Sequence, residues 1–126
     1  MRIHNVHERE VDGSVDEVTA LLDVVALWPT EIAPAPRPED GRLRVGPMLW
    51  QPVERDGAAL AFRVVSPPQL EAEHWFEATR RNGGTTLRHT VDGRAAGDAV
   101  AVWERIEPFH DRIMEALLDR VEVELV

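Results

Sequence analysis

Three histidines are the residues of this sequence best suited to chemistry. His74, His89 and His110 each stand among apolar residues, in segments with strand or helix periodicity. An imidazole has an ordinary pKa of about 6.5, so near neutrality it can move a proton, hydrogen-bond a ligand or hold a metal. Burying several imidazoles is costly unless their ring nitrogens find partners, which a cavity holding ligand or water supplies readily. The plainer alternative is that each ring bonds a buried carbonyl or water and serves only the core. A metal site made from these three is disfavoured, because no inward carboxylate accompanies them to fix their tautomers. Cysteine is absent, which excludes disulfides and thiolate ligands. The expectation is no metal and no cofactor.

Two turn signals position the histidines. Asn82-Gly83 suits a two-residue primed turn, in which both residues take positive φ. Arg81 then pairs with Gly84, and one face holds Glu77 opposite Arg88, Thr79 opposite Thr86 and Glu71 opposite Arg94, a charged and polar set for solvent. The other face holds His74 with Val91, Phe76 with His89 and Ala78 with Leu87, and points inward. The same treatment of Asp56-Gly57 sets Val53 opposite Leu60, Gln51 opposite Phe62 and Leu49 opposite Val64. Trp50 then lies outside beside Arg63 as a cation–π pair, unless a bulge turns it in. Trp75 also falls on the outer face, as a partner surface, a homodimer contact or a residue covered by a terminal segment.

The last segment, Asp98 to about Leu125, reads as one amphipathic helix. A 100° step gathers Trp103, Ile106, His110, Ile113, Met114, Leu117 and Val121 into a stripe. Pro108 should bend it. Glu104, Asp111, Arg112, Glu115 and Asp119 fall opposite, and this acidic side reads as solvated. The expected pocket wall is thus Leu49, Gln51, Phe62, His74, Phe76 and His89 from the sheet. Trp103, His110, Met114 and Leu117 close it from the helix. The aromatics could stack on a ring-shaped ligand, and Met114 would be an adaptable wall.

The remaining elements frame these. Ile3 to Asp12 has strand character with poor alternation, and its His4 and His7 receive no role. Ser14 with Glu17 forms a capping box for a helix running to about Leu27, where Trp28-Pro29 ends it. A short helical turn can follow. Pro34 to Gly41 reads as a loop, since its prolines forbid helix and central strand. Further strands are expected at Arg42–Gly46, Met48–Arg55, Ala59–Val65, Glu71–Arg80 and Thr85–Arg94.

The chain has 126 residues, 44% of them hydrophobic, which suits one domain spanning 1–126. Its net charge of −9 repels phosphate backbones and argues against nucleic acid. There is no apolar run of membrane-spanning length and no signal-peptide core, so a cytoplasmic location is expected. No glycine-rich phosphate loop, nucleophile elbow or zinc-protease pattern occurs.

The element order and several landmarks resemble the START-like superfamily, also called SRPBCC or polyketide cyclase/dehydrase-like. The resemblance rests on Val11-Asp12-Gly13-Ser14-Val15-Asp16-Glu17-Val18, Trp28-Pro29, Val45-Gly46 and Gly84-Thr85-Thr86-Leu87-Arg88-His89. Gly97, Trp103, Pro108-Phe109-His110-Asp111 and Leu117-Leu118 complete it. It covers nearly the whole chain through loose motifs. It implies an α+β helix-grip fold: a curved antiparallel sheet around a long C-terminal helix, with short helices after the first strand. It also implies a hydrophobic cavity between sheet and helix.

Three functions follow as expectations. The first is binding of an apolar small molecule, such as a polyketide, lipid or quinone. The second is a cyclase/dehydratase-type enzyme, in which His74 or His89 abstracts a proton beside a carbonyl while His110 or Gln51 bonds the oxyanion. The third is an accessory protein acting through the outer sheet face and Trp75.

Overall fold

A computed structural model describes residues 1–125. The elements are β1 (Arg2–Val11), α1 (Val15–Leu21), β2 (Arg37–Glu39), β3 (Arg42–Val45), β4 (Met48–Val53), β5 (Leu60–Ser66), β6 (Leu70–Arg81), β7 (Gly84–Ala95) and α2 (Asp98–Glu124). The seven strands form one antiparallel sheet in the order β1-β7-β6-β5-β4-β3-β2. Helix α2 packs on β1, β6 and β7, and α1 closes against β6, β7 and α2. This is the helix-grip arrangement expected.

The register of β6 against β7 is the expected one throughout, with Arg81 opposite Gly84, Phe76 opposite His89 and His74 opposite Val91. Asn82 and Gly83 take φ of 45° and 86°, the primed turn whose twist matches the strands. Gly93 in β7 has no room for a side chain, since a Cβ would stand 2.1 Å from the Glu71 carbonyl oxygen.

The β4–β5 hairpin departs by one residue. Val53 faces Ala61, Gln51 faces Arg63 and Trp50 faces Val64, with an irregularity between Leu49 and Trp50. Asp56 does not take positive φ, and the Ala58 amide donates to the Arg55 carbonyl at 3.1 Å, so the connection holds more than two residues. A one-residue slip exchanges the faces. Trp50 is buried, Leu49 and Gln51 are only half-buried, and Gln51 accepts from Arg42 Nε at 2.7 Å. The expected Trp50–Arg63 pair does not form. The cation–π contact belongs instead to Arg55, whose guanidinium lies 3.5 Å from the ring centre of Trp75. Trp75 is therefore buried beneath Arg55, with its indole N–H donating to Glu77, and is not an exposed docking residue.

Two further expectations are corrected and a third is extended. Helix α1 ends at Leu21 rather than near Leu27, because the Asp23 carboxylate accepts from the Val25 and Ala26 amides and starts a separate turn. The proline segment contributes the short edge strand β2, where Pro38 needs no ladder donor. Asp40 and Gly41, with φ of 51° and 76°, turn it into β3. Finally, the acidic side of α2 is exposed as expected, and it also carries ion pairs. Asp111, Glu115, Asp119 and Glu122 pair with His7 and Arg9 of β1.

That last pairing explains the poor alternation of β1. Its inward face runs Ile3, Asn5, His7, Arg9, Val11, apolar at the ends and polar in the middle. The polar stretch lies under the i, i+4 row Glu107, Asp111, Glu115, Asp119. Asn5 donates to Glu107 and Asp111. Arg9 lies 2.7 to 3.1 Å from Asp119, Glu122 and Glu115, and hydrogen bonding to these carboxylates raises its pKa further despite partial burial.

Candidate functional site: a row of histidines between a small cavity and an open groove

The four histidines that matter form a row from the core to the β1–α2 seam. His74 lies in β6, edge-on to Trp50 at 4.1 Å between ring centres and stacked on Phe62 at 5.3 Å. Its Nδ1 is 3.4 Å from Nε2 of His89 in β7. His89 packs on Phe76 at 4.6 Å and faces His110 of α2 at 5.3 Å. His110 lies 5.9 Å from both Trp103 and His7. So the three histidines singled out by sequence converge, and His7 joins them.

Environment grades the row. Desolvation pushes His74 down to about 3, with His110 a second lowering influence. Burial also holds His89 well below its ordinary value. Burial lowers His110 to about 4, His7 adds to that, and Asp111 opposes it. All three are neutral imidazoles near neutral pH, each able to donate one hydrogen bond and accept another.

Their nitrogens are poorly satisfied. Among the described residues, Nε2 of His74, Nδ1 of His89, both ring nitrogens of His110 and the Trp50 indole N–H are buried without a hydrogen-bond partner. Orphaned polar groups cost roughly 1–3 kcal/mol each. They surround a cavity of about 20 Å³ whose walls include Trp50, His74, Phe76, His89, Trp103 and His110. That space admits about one water molecule.

Ligand-sized space lies next door. A groove of about 690 Å³ runs between the 28–37 segment, the β3–β4 hairpin and the 105–114 stretch of α2. Trp28, Ile106, Phe109 and Ile113 make its apolar walls, and Phe109 is half exposed at the lip. Met48, Trp50, His110 and Met114 are shared by groove and cavity. They form the partition between the two spaces. Arg37, Arg44 and Arg105 stand at the groove's edge, with Arg44 paired to Glu39 at 2.8 Å.

The sequence-derived wall residues separate accordingly. Phe76, His74, His89 and Trp103 surround the small cavity, while His110 and Met114 reach both spaces. Phe62 and Leu117 are buried beside them. Leu49 and Gln51 turn away because of the register slip in β4. Trp50, which the sequence puts outside unless a bulge turns it in, is inside, and His7, to which the sequence gives no role, joins the row. The inward carboxylate that was not evident in the sequence is Asp111, whose Oδ1 lies 3.6 Å from Nδ1 of His110. The overlooked signal was the polar run at alternate positions of β1, matched to acids four apart on α2.

Comparison with protein-family models and with curated proteins gave no match. Solved structures do match over nearly the full chain. A Thermobifida fusca protein solved by NMR superposes with a TM-score of 0.65 at 18% identity, covering 94% of this chain and 92% of that one. The Zhui aromatase/cyclase from Streptomyces sp. R1128 gives 0.62 at 20% identity, covering 97% and 94%. Ara h 8.0201 gives 0.57 at 16% identity, covering 96% and 98%. At such identities the likeness speaks for the fold alone, and the chain shares the helix-grip fold of these structures.

Proposed function

We propose that this protein binds an apolar small molecule in the groove between α2 and the β3–β4 hairpin, with the polar end of the molecule directed at Trp50 and His110. One observation carries the reading. An apolar groove of about 690 Å³ is floored by buried donors and acceptors that lack protein partners. Ligand sites of this kind combine mostly apolar walls with a few placed polar groups. Met48 and Met114 are unbranched and adaptable, so the partition can yield to ligands of different shape. The fold shared with an aromatase/cyclase supports polyketide-, lipid- or quinone-like molecules as the class.

A second reading, a cyclase/dehydratase-type enzyme, is favoured by the position of His110. Of the three histidines first identified, it alone reaches the groove, so it is the one able to touch a substrate there. His74 and His89 border the small cavity and Gln51 lies on the other face of β4, so this reading gives the proton transfer to His110.

Native mass spectrometry of protein purified from its source, followed by denaturing extraction, tests the first reading. A stoichiometric apolar compound is the expected result. An apo mass, with no thermal shift across fatty acids, quinones and aromatic polyketides, would overturn it. His110→Gln separates the two readings: a carrier keeps most of its affinity, whereas an enzyme binds and no longer turns over.

A further inference from the structure

We propose that His7, His110 and Asp111 form a binding site for a divalent transition-metal ion of the zinc type at the seam between β1 and α2. The three side chains offer ligand atoms that all lie within 4.8 Å of one another. Nε2 of His7 is 2.9 Å from Oδ1 of Asp111, and Nδ1 of His110 is 3.6 Å from the same oxygen. Around a tetrahedral ion with bonds of about 2.0–2.1 Å, ligand atoms stand roughly 3.3–3.4 Å apart. Small side-chain adjustments therefore convert the observed spacing into coordination.

The surrounding groups orient the ligands as metal sites require. Nδ1 of His7 is 2.7 Å from Oε2 of Glu115. When Nδ1–H donates to that carboxylate, Nε2 carries the lone pair and faces Asp111, the carboxylate–histidine–metal arrangement. Asn5 donates to Asp111 at 2.9 Å and holds its carboxylate in place. Arg9 offsets the charge of Glu115 at 3.1 Å.

The independent observation is His110. Its side chain is about nine-tenths buried, and among the described residues neither ring nitrogen has a hydrogen-bond partner. A protonated His7 bridging Asp111 and Glu115 would account for those three residues and leave His110 unexplained. An ion on Nδ1 of His110 gives that buried nitrogen a partner as well. Metal ligands bind in their deprotonated forms, so affinity should rise with pH. Two imidazoles and a carboxylate suit zinc, cobalt or nickel better than calcium or magnesium. Three protein ligands leave one position for water or for a ligand atom. Because His110 also borders the groove, the ion would lie at the margin of the apolar site. This assignment does not depend on what the groove binds.

The test is titration of tag-free, EDTA-treated protein with Co²⁺, read by visible absorption, and with Zn²⁺, read by calorimetry and thermal melting. One ion per chain is expected, with a visible Co²⁺ band and a raised melting temperature for the wild type. Glu115→Gln should weaken binding about 10–100-fold, the usual effect of losing an orienting partner, and His7→Gln or Asp111→Asn by at least as much. His4→Gln, at the exposed histidine 3.6 Å from Asp92, should change nothing and serves as the control. Each variant's metal-free melting curve shows that it is folded. Binding no tighter than millimolar, or binding that survives His7→Gln and Asp111→Asn in folded protein, would overturn the assignment.

Discussion

The two ends of the histidine row use the same side chain in opposite settings. At the β6–β7 end, His74 and His89 lie against Trp50, Phe62 and Phe76 around space for about one water. At the α2 end, His110 borders a groove large enough for a ligand, and His7 beyond it meets two carboxylates. The inner pair are neutral and held by packing. Of the outer pair, His110 borders the open groove and His7 is held between two carboxylates. Imidazoles are assigned by what surrounds them, and a histidine count says little about which of them can meet a ligand.

The largest test of that contrast uses two phenylalanines. Phe76→Ala, beneath His89 at 1% exposure, should cost about 3–5 kcal/mol in urea unfolding. Phe109→Ala at the groove lip, 50% exposed, should cost no more than about 0.5 kcal/mol. Equal losses would mean that the groove is part of the core.

Acid should reveal the inner pair next. His74 faces Trp50 of β4, Phe62 of β5 and His89 of β7; burial lowers it most, and the charge of His110 lowers it further. Its folded pKa of about 3 lies below the ordinary 6.5, so on acidification the unfolded chain binds the proton first. Stability is therefore intact above about pH 6.5 and falls below it by up to ~1.4 kcal/mol per pH unit for each such histidine, down towards pH 3. His74→Leu should flatten urea midpoints between pH 6.5 and 4.5. An unchanged slope would contradict its assignment as a neutral core residue.

The charged seam should respond less. Arg9→Ala leaves Glu115, Asp119 and Glu122 without their shared cation and should cost roughly 1–2 kcal/mol at low salt, less as salt rises. Chemical denaturation at two ionic strengths checks the sign. The smallest effect on the fold belongs to the groove itself. Phe109→Asp should leave stability within about 0.5 kcal/mol. It should also weaken binding of an apolar ligand about tenfold, close to 1.4 kcal/mol.

Legibility in the sequence followed local chemistry. Asn82-Gly83 forces positive φ at both positions, and from it the whole β6–β7 register, with His74, Phe76 and His89 inward, could be written down. Asp56-Gly57 carries a similar signal, yet only Gly57 takes positive φ, and the longer turn moves Trp50 in and Gln51 out. The Ser14–Glu17 capping box was readable, whereas the end of α1 depends on the Asp23 side chain choosing its own turn. The histidine cluster was visible because each ring sits at an inward position of an amphipathic element. The β1–α2 seam was not, since a polar inward face looks like failed alternation until its acidic partners lie over it.

The most direct test of groove binding reads the indole N–H signals of the four tryptophans by NMR during titration with an apolar ligand identified by extraction. Trp28 and Trp50 line the groove, Trp103 lies behind the partition, and Trp75 is on the opposite face of the sheet beneath Arg55. The Trp28 and Trp50 signals should shift in saturable fashion, Trp103 should follow only if the partition yields, and Trp75 should stay in place. Shifts confined to Trp75, or none at saturating ligand, would contradict the groove as the binding site.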